Sequence, residues 1–126
     1  MPSAMDRGYR ISRYAAGPVA ARIGEPSPSA DAWMAEHRAA SLILITAWNP
    51  MSRPMPRRWN EEAHRRLLRA LKGRPVAEGW SGNGPWQEWT IATPGGVRLG
   101  RRLCRIFRQR AFVLLRRNRR TLLVYS

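Results

Sequence analysis

The sequence predicts a mixed α/β domain of the ferredoxin-like kind: a split βαβ sandwich whose antiparallel sheet carries two helices on one face, preceded by an N-terminal β-hairpin and a short helix. Three observations predict it. The run SLILITAWN (41–49) is continuously apolar and rich in β-branched residues, as a strand buried on both faces must be. Two stretches, 58–72 and 97–108, place apolar residues at helical spacing. From residue 41 onward the elements read β-α-β-β-α-β with one further strand at the end.

Residues 9–14 and 19–23 alternate weakly on either side of Gly17-Pro18, which suits a short hairpin. GEPSPS (24–29) is a turn in which Ser29 can cap a helix over 31–39, with Ala30, Trp33 and Met34 as its apolar stripe. After the strand at 41–49, three prolines hold MSRPMPRR extended. The first long helix then buries Trp59, Ala63, Leu67, Ala70 and Leu71, and Gly73 ends it. A strand over 75–80, a loop at SGNGP (81–85) and a strand over 86–93 follow. Pro94-Gly95-Gly96 turns into the second long helix, with Leu99, Leu103, Ile106 and Phe107 inward. Two last strands, 111–115 and 121–125, are joined by a tip of four arginines and one asparagine. Nothing interrupts the chain, so residues 1–126 make one domain, with 9–40 as hairpin and short helix and 41–126 as the β-α-β-β-α-β-β core.

Net charge is +15, and its distribution is uneven. Residues 1–40 carry five Arg against four acids, whereas from residue 97 to the end there are ten Arg and no acid. Such asymmetry is the footprint of a polyanion binder, because each neutralised phosphate releases a condensed counterion. Arg outnumbers Lys 22 to 1, as a GC-rich coding sequence would also produce, but coding bias does not remove acids. A merely solvated basic face, or an acidic protein partner, are the alternatives. A single cysteine excludes an internal disulfide. No apolar run approaches the roughly 20 residues of a membrane span, and residues 1–14 lack a signal-like core, so a cytoplasmic location is expected.

Several strings occur together here: RIGEPS (22–27), LITAWNP-x-S (44–52), Asn60 at a helix start, WQEWTIA (86–92) and LGRRL-x-x-IF-x-Q-x-AFV (99–113). In these the chain resembles the bacterial family known as domain of unknown function 3293, over about residues 9–125. The resemblance implies a compact α/β domain and no assigned catalytic role. It marks Thr46, Asn49, Ser52, Asn60, Glu88 and Gln109 as the recurrent polar positions. Where the family tends to read F-G-Q-N-A, this chain has Phe107-Arg108-Gln109-Arg110-Ala111, and both changes add Arg.

The end of the TAWNP strand is the best candidate for a ligand site. Asn49 there can both donate and accept, and Asn60, Ser52, Gln109, Thr46, Trp48 and Glu88 could converge on it to read a small polar ligand or a base edge. The structural alternative is an Asx-type turn at Asn49-Pro50 whose neighbours satisfy backbone groups. Glu88 lies between Trp86 and Trp89; it either has a raised pKa beside an indole or pairs with one of the many Arg. His37 and His64 are expected on polar helix faces, with no triad around them, and two His with one Cys have no metal-ligand spacing. Cys104, amid arginines, either has a lowered pKa or fills space beside Leu103.

The leading expectation is a non-catalytic, sequence-tolerant nucleic-acid binder, with RNA or a ribonucleoprotein ahead of DNA. No cofactor and no metal are expected. Phosphate contacts would come from Arg57, Arg58, Arg98, Arg101, Arg102, Arg105, Arg108, Arg116, Arg117, Arg119 and Arg120, aligned as one stripe. The rival is a small-ligand module or enzyme at the TAWNP site, and a third reading is a subunit with an acidic protein partner.

Overall fold

The computed structural model describes residues 3–126 and is a mixed α/β fold. It opens with α1 (Ala4–Ile11), then the short hairpin β1 (Tyr14–Ala16) and β2 (Val19–Ala21), and α2 (Pro28–Glu36). Next come β3 (Ser41–Thr46), a 3-10 turn (Pro50–Ser52) and α3 (Arg57–Ala70). The hairpin β4 (Ala77–Asn83) and β5 (Trp86–Pro94) leads to α4 (Val97–Phe107), and the hairpin β6 (Ala111–Arg116) and β7 (Leu122–Tyr125) ends the chain. The main sheet has the order β4-β5-β3-β6-β7 with every neighbouring pair antiparallel. No helix among the described residues is long and apolar enough to cross a membrane.

Strand β3 sits at the sheet centre because both of its faces are apolar. Ile43 and Ile45 join Ala63 and Leu67 of α3, Leu71 at its cap, and Leu99, Leu103 and Phe107 of α4 on one face. Leu42 and Leu44 join Val19, Trp33 and Met34 on the other, so the N-terminal hairpin and α2 cover the face that the long helices leave bare. Two glycines set how closely these layers approach. A Cβ at Gly79 would lie 3.0 Å from the backbone of Ala15 and Ala16, so β1 can cross β4 only over glycine. A Cβ at Gly100 would lie 2.3 Å from the Phe112 ring, which fills the notch that α4 leaves there. Gly100→Ala should therefore cost about 2–3 kcal/mol by overpacking, visible as a lower urea midpoint with an unchanged slope.

Several expected boundaries move, each for a local reason. Residues 9–11 are the end of α1, not a strand, because Ser3 caps that helix by accepting from the Asp6 amide. The cap of α2 is Ser27, with Pro28 in the first turn, while the Ser29 hydroxyl instead brackets Ala20 of β2. The loop expected at 81–85 shrinks to Gly84-Pro85, since Ser81, Gly82 and Asn83 continue β4 and pair with β5. Helix faces also differ. Ile106 is 59% exposed, and Trp59 and Ala70 are exposed too, whereas His64 is buried and Cys104 is fully so. His64 goes inward because Glu78 on β4 meets its Nε2 at 2.7 Å.

Candidate functional site

Strand β3 ends where its own side chain turns back. The Thr46 hydroxyl donates to the Trp89 carbonyl at 2.6 Å and accepts from the Trp48 amide at 3.0 Å, which draws the chain out of the sheet. Asn49 then adopts a left-handed conformation (φ 49°, ψ 63°), followed by Met51 and Ser52 at φ 54° and 60°. Three such non-glycine residues within four positions cost roughly 1–2 kcal/mol each and persist only where the surroundings hold them. Here they are held. The Met51 amide donates to the Arg108 carbonyl at 2.8 Å, and Gln109 Nε2 donates to the carbonyl of Trp48 at 3.1 Å.

The Asn49 side chain, itself buried, is the hub of the turn. Its Oδ1 accepts from the Met55 amide at 3.0 Å and from Asn60 Nδ2 at 2.8 Å. Asn60 Oδ1 in return accepts the Asn49 amide at 2.9 Å. With both acceptors committed, the Asn49 amide group can point only one way, and its Nδ2 donates to Glu88 Oε2 at 3.0 Å. Glu88 thus meets an amide rather than the arginine that composition suggests. Burial pushes its carboxyl up from 4.5 to about 7, and the Asn49 bond is the one interaction that pulls it back.

Glu88 opens into a cavity of about 470 Å³ between the sheet and α1, within the range of small-ligand sites. Thr46, Asn49, Ser52 and Gln109 line the same cavity, so five of the seven residues expected at the TAWNP site meet there. Tyr9 and Tyr14 form the opposite wall, and burial raises the phenol pKa of both. Tyr14 donates to the Tyr9 carbonyl at 2.8 Å, fastening β1 to α1, and Tyr125 fastens α1 to β7 by donating to Asp6. The walls are otherwise largely apolar, from Met5, Leu44, Val113 and Leu123 among others. Among the described residues, no Lys, Arg or His lines the cavity.

The remaining two candidates stand behind it. Asn60 positions Asn49 from α3, and Trp48 lies against Trp80 on the far side, with their ring centroids 5.0 Å apart. Sequence reasoning missed Tyr9 and Tyr14, because the first half of the segment read as a strand is the end of the helix that closes the cavity, with Tyr14 opening β1 beside it. It also missed the pair that buried His64 makes with the exposed Glu78, to which Trp89 Nε1 adds a bond at 3.0 Å. Burial raises the Glu78 carboxyl, but the bonds from His64 and Trp89 outweigh it and hold the group below its ordinary value. The Cys104 thiol is pushed up to about 11 by burial, so the arginines of α4 do not activate it.

The expected phosphate stripe separates into patches. Arg98, Arg101, Arg102 and Arg105 lie exposed on α4, and none forms an ion pair among the described residues. Arg57 stands on the other flank of α3, paired with Glu61 at 2.8 Å and over the Trp80 ring, with exposed Arg58 beside it in sequence. At the β6–β7 tip, Arg117 turns back to donate to the Ala39 and Met34 carbonyls at the end of α2. Arg116 and Arg119 there share a shallow surface with Arg38, and Arg120 reaches the Gly24 carbonyl. Arg108 caps α4 in a left-handed conformation.

A family model described as "Protein of unknown function (DUF3293)" matches residues 45–112. That is more than half of the chain, and the protein belongs to this family. The matched span holds Thr46, Asn49, Ser52, Asn60, Glu88 and Gln109, whereas Tyr9 and Tyr14 on the closing wall lie before it. No curated protein and no solved structure matches the chain.

Proposed function

We propose that this member of the family binds a small molecule in the cavity beneath α1 and exchanges a proton with it through Glu88. The observation that carries the reading is a carboxyl with a pKa near 7, held by a fixed amide in a cavity that no cation among the described residues lines. Those features also set the ligand class. An anion such as a phosphate ester would find no counter-charge in the lining. An amine, an amidine or the N–H edge of a nucleobase on a largely apolar body would meet the carboxylate, and the walls would cover the rest. Binding a cation would lower the Glu88 pKa and release its proton near neutral pH. In a reaction, the same group would serve as acid or base.

Thermal-shift and calorimetric screening of amines, free nucleobases and nucleotides tests this, with the wild type and Glu88→Gln compared at pH 6 and 8. A hit bearing an N–H donor, weakened at least tenfold by Glu88→Gln, is the expected result. Its binding heat near pH 7 should vary with buffer ionisation heat, reporting the released proton. Hits confined to phosphate-bearing ligands, or indifferent to Glu88→Gln, would overturn the reading.

A second reading, sequence-tolerant nucleic-acid binding, is favoured by the four unpaired arginines on α4 and the acid-free stretch that contains them. Changing Arg98, Arg101, Arg102 and Arg105 together to Gln should leave the fold intact and reduce the salt slope of single-stranded RNA binding by roughly 3. Wild-type affinity that is absent near physiological salt, or indifferent to salt, would sink this reading without touching the first.

A further inference from the structure

A second concave surface lies on the opposite face of the sheet from the Glu88 cavity. It is a groove of about 880 Å³ between α3, the C-terminal end of α4 and the loop after β3. Its opening has a simple cause: besides Trp59 and Arg66 at the edges, α3 presents only Ala63 and Ala70 to the groove, and these small side chains leave the space toward α4 open. The floor and edges are apolar and exposed, with Ile106 at 59%, Met51 at 43% and Trp59 at 39%. Ile106 is on the helical face that periodicity assigns to the core, yet none of the described residues covers it. Four arginines rim the groove, Arg53, Arg66, Arg108 and Arg110, and among the described residues no acid lines it.

The rim is fixed in place. The Met51 amide is tied to the Arg108 carbonyl, Arg110 Nε donates to the Met51 carbonyl at 3.3 Å, and the Arg66 guanidinium lies 5.9 Å from the Trp59 ring centroid. A helix-flanked trough with an aliphatic floor and a cationic rim complements an amphipathic helix whose apolar ridge is bordered by acids. We infer that this groove is a docking site for an acidic, amphipathic helical segment of a partner protein.

Other occupants fit less well. A second copy of the chain would bring its own four arginines against these four. Nucleic acid would find phosphate partners, but of the two aromatic residues lining the groove Phe107 is buried and the exposed Trp59 ring is already taken by Arg66, above Ile106 and two methionines that cannot stack a base. Methionines instead suit an adaptable apolar contact with a helix ridge. The inference does not rest on the Glu88 cavity, which is lined by different residues.

Selection from a displayed library of random 16-residue peptides, carried out against the full chain, tests it. Enriched peptides should carry apolar residues at i, i+3 or i+4 and i+7 with Asp or Glu beside them. Synthetic versions should bind the wild type at least tenfold more tightly than Ile106→Glu, whose exposed site leaves thermal stability unchanged. Arg53→Gln with Arg66→Gln should weaken them severalfold and flatten the salt dependence. Three results would overturn the inference: no enrichment over the Ile106→Glu protein, enriched peptides without acids, or a single-stranded RNA whose binding Ile106→Glu abolishes.

Discussion

Replacing Glu88 by Gln should stabilise the protein at pH 8, by about 3 kcal/mol or roughly 10 °C in melting temperature. The carboxyl has a pKa near 7 in the folded chain and 4.5 when unfolded, so the folded state holds the proton more tightly. The stability linked to that proton is fully present below about pH 4.5 and is lost as the pH rises through 7. Above pH 7 the wild type must keep an ionised carboxylate in a poorly solvated cavity. Glutamine has the same volume, keeps an oxygen for Asn49 Nδ2, and never ionises. The difference between the two proteins should therefore be small at pH 5 and grow to its full size by pH 8. Urea unfolding of both across that range reads it directly. A residue whose removal strengthens the fold is retained for something other than the fold.

Asn49→Ala has the opposite sign and a similar size, a loss of about 3–5 kcal/mol. Alanine deletes the acceptor that holds the Met55 amide and the buried Asn60 Nδ2, stranding donors that cost about 1–3 kcal/mol each when unpaired. It also places a poorly tolerated side chain at φ 49°. Glu88 loses the bond that pulls its pKa down, so its titration should move further upward. Asn49→Asp separates the two effects. Aspartate tolerates the left-handed backbone and keeps the acceptor, but it sets a second carboxyl about 3 Å from the first. Its stability should lie near the wild type at pH 5 and fall below it at pH 8. Chemical denaturation at the two pH values distinguishes these variants.

Much of this was legible in the residues. The two-faced apolarity of residues 41–46 places β3 at the sheet centre, and the 3.6-residue spacing of Leu99, Leu103 and Phe107 gives α4 its inner face. Asn49 was legible as a site candidate because a polar residue at the end of a buried strand has few other uses, while Glu88 and Gln109 were marked by the family resemblance. The closing wall was not. Residues 9–14 alternate as a strand would, and only the Ser3 cap and the fastening of Asp6 to Tyr125, far away in sequence, make residues 4–11 a helix. The partner of Glu88 was misread for a related reason. Composition makes arginine the expected neighbour, but the Asn49 turn and its support from Asn60 are tertiary, and they seat an amide against the carboxyl. Helix faces erred where a groove replaces a neighbour: Ile106 and Trp59 have the spacing of core residues and no core to enter.

The central claim is that Glu88 holds a proton near neutral pH in its cavity. Carbon-13 NMR of selectively labelled glutamate side chains measures this directly, with Glu88→Gln identifying the resonance. A midpoint near 7 for that carbon is the predicted result. A midpoint near 4.5 would mean a solvated or cation-paired carboxylate and would contradict the account.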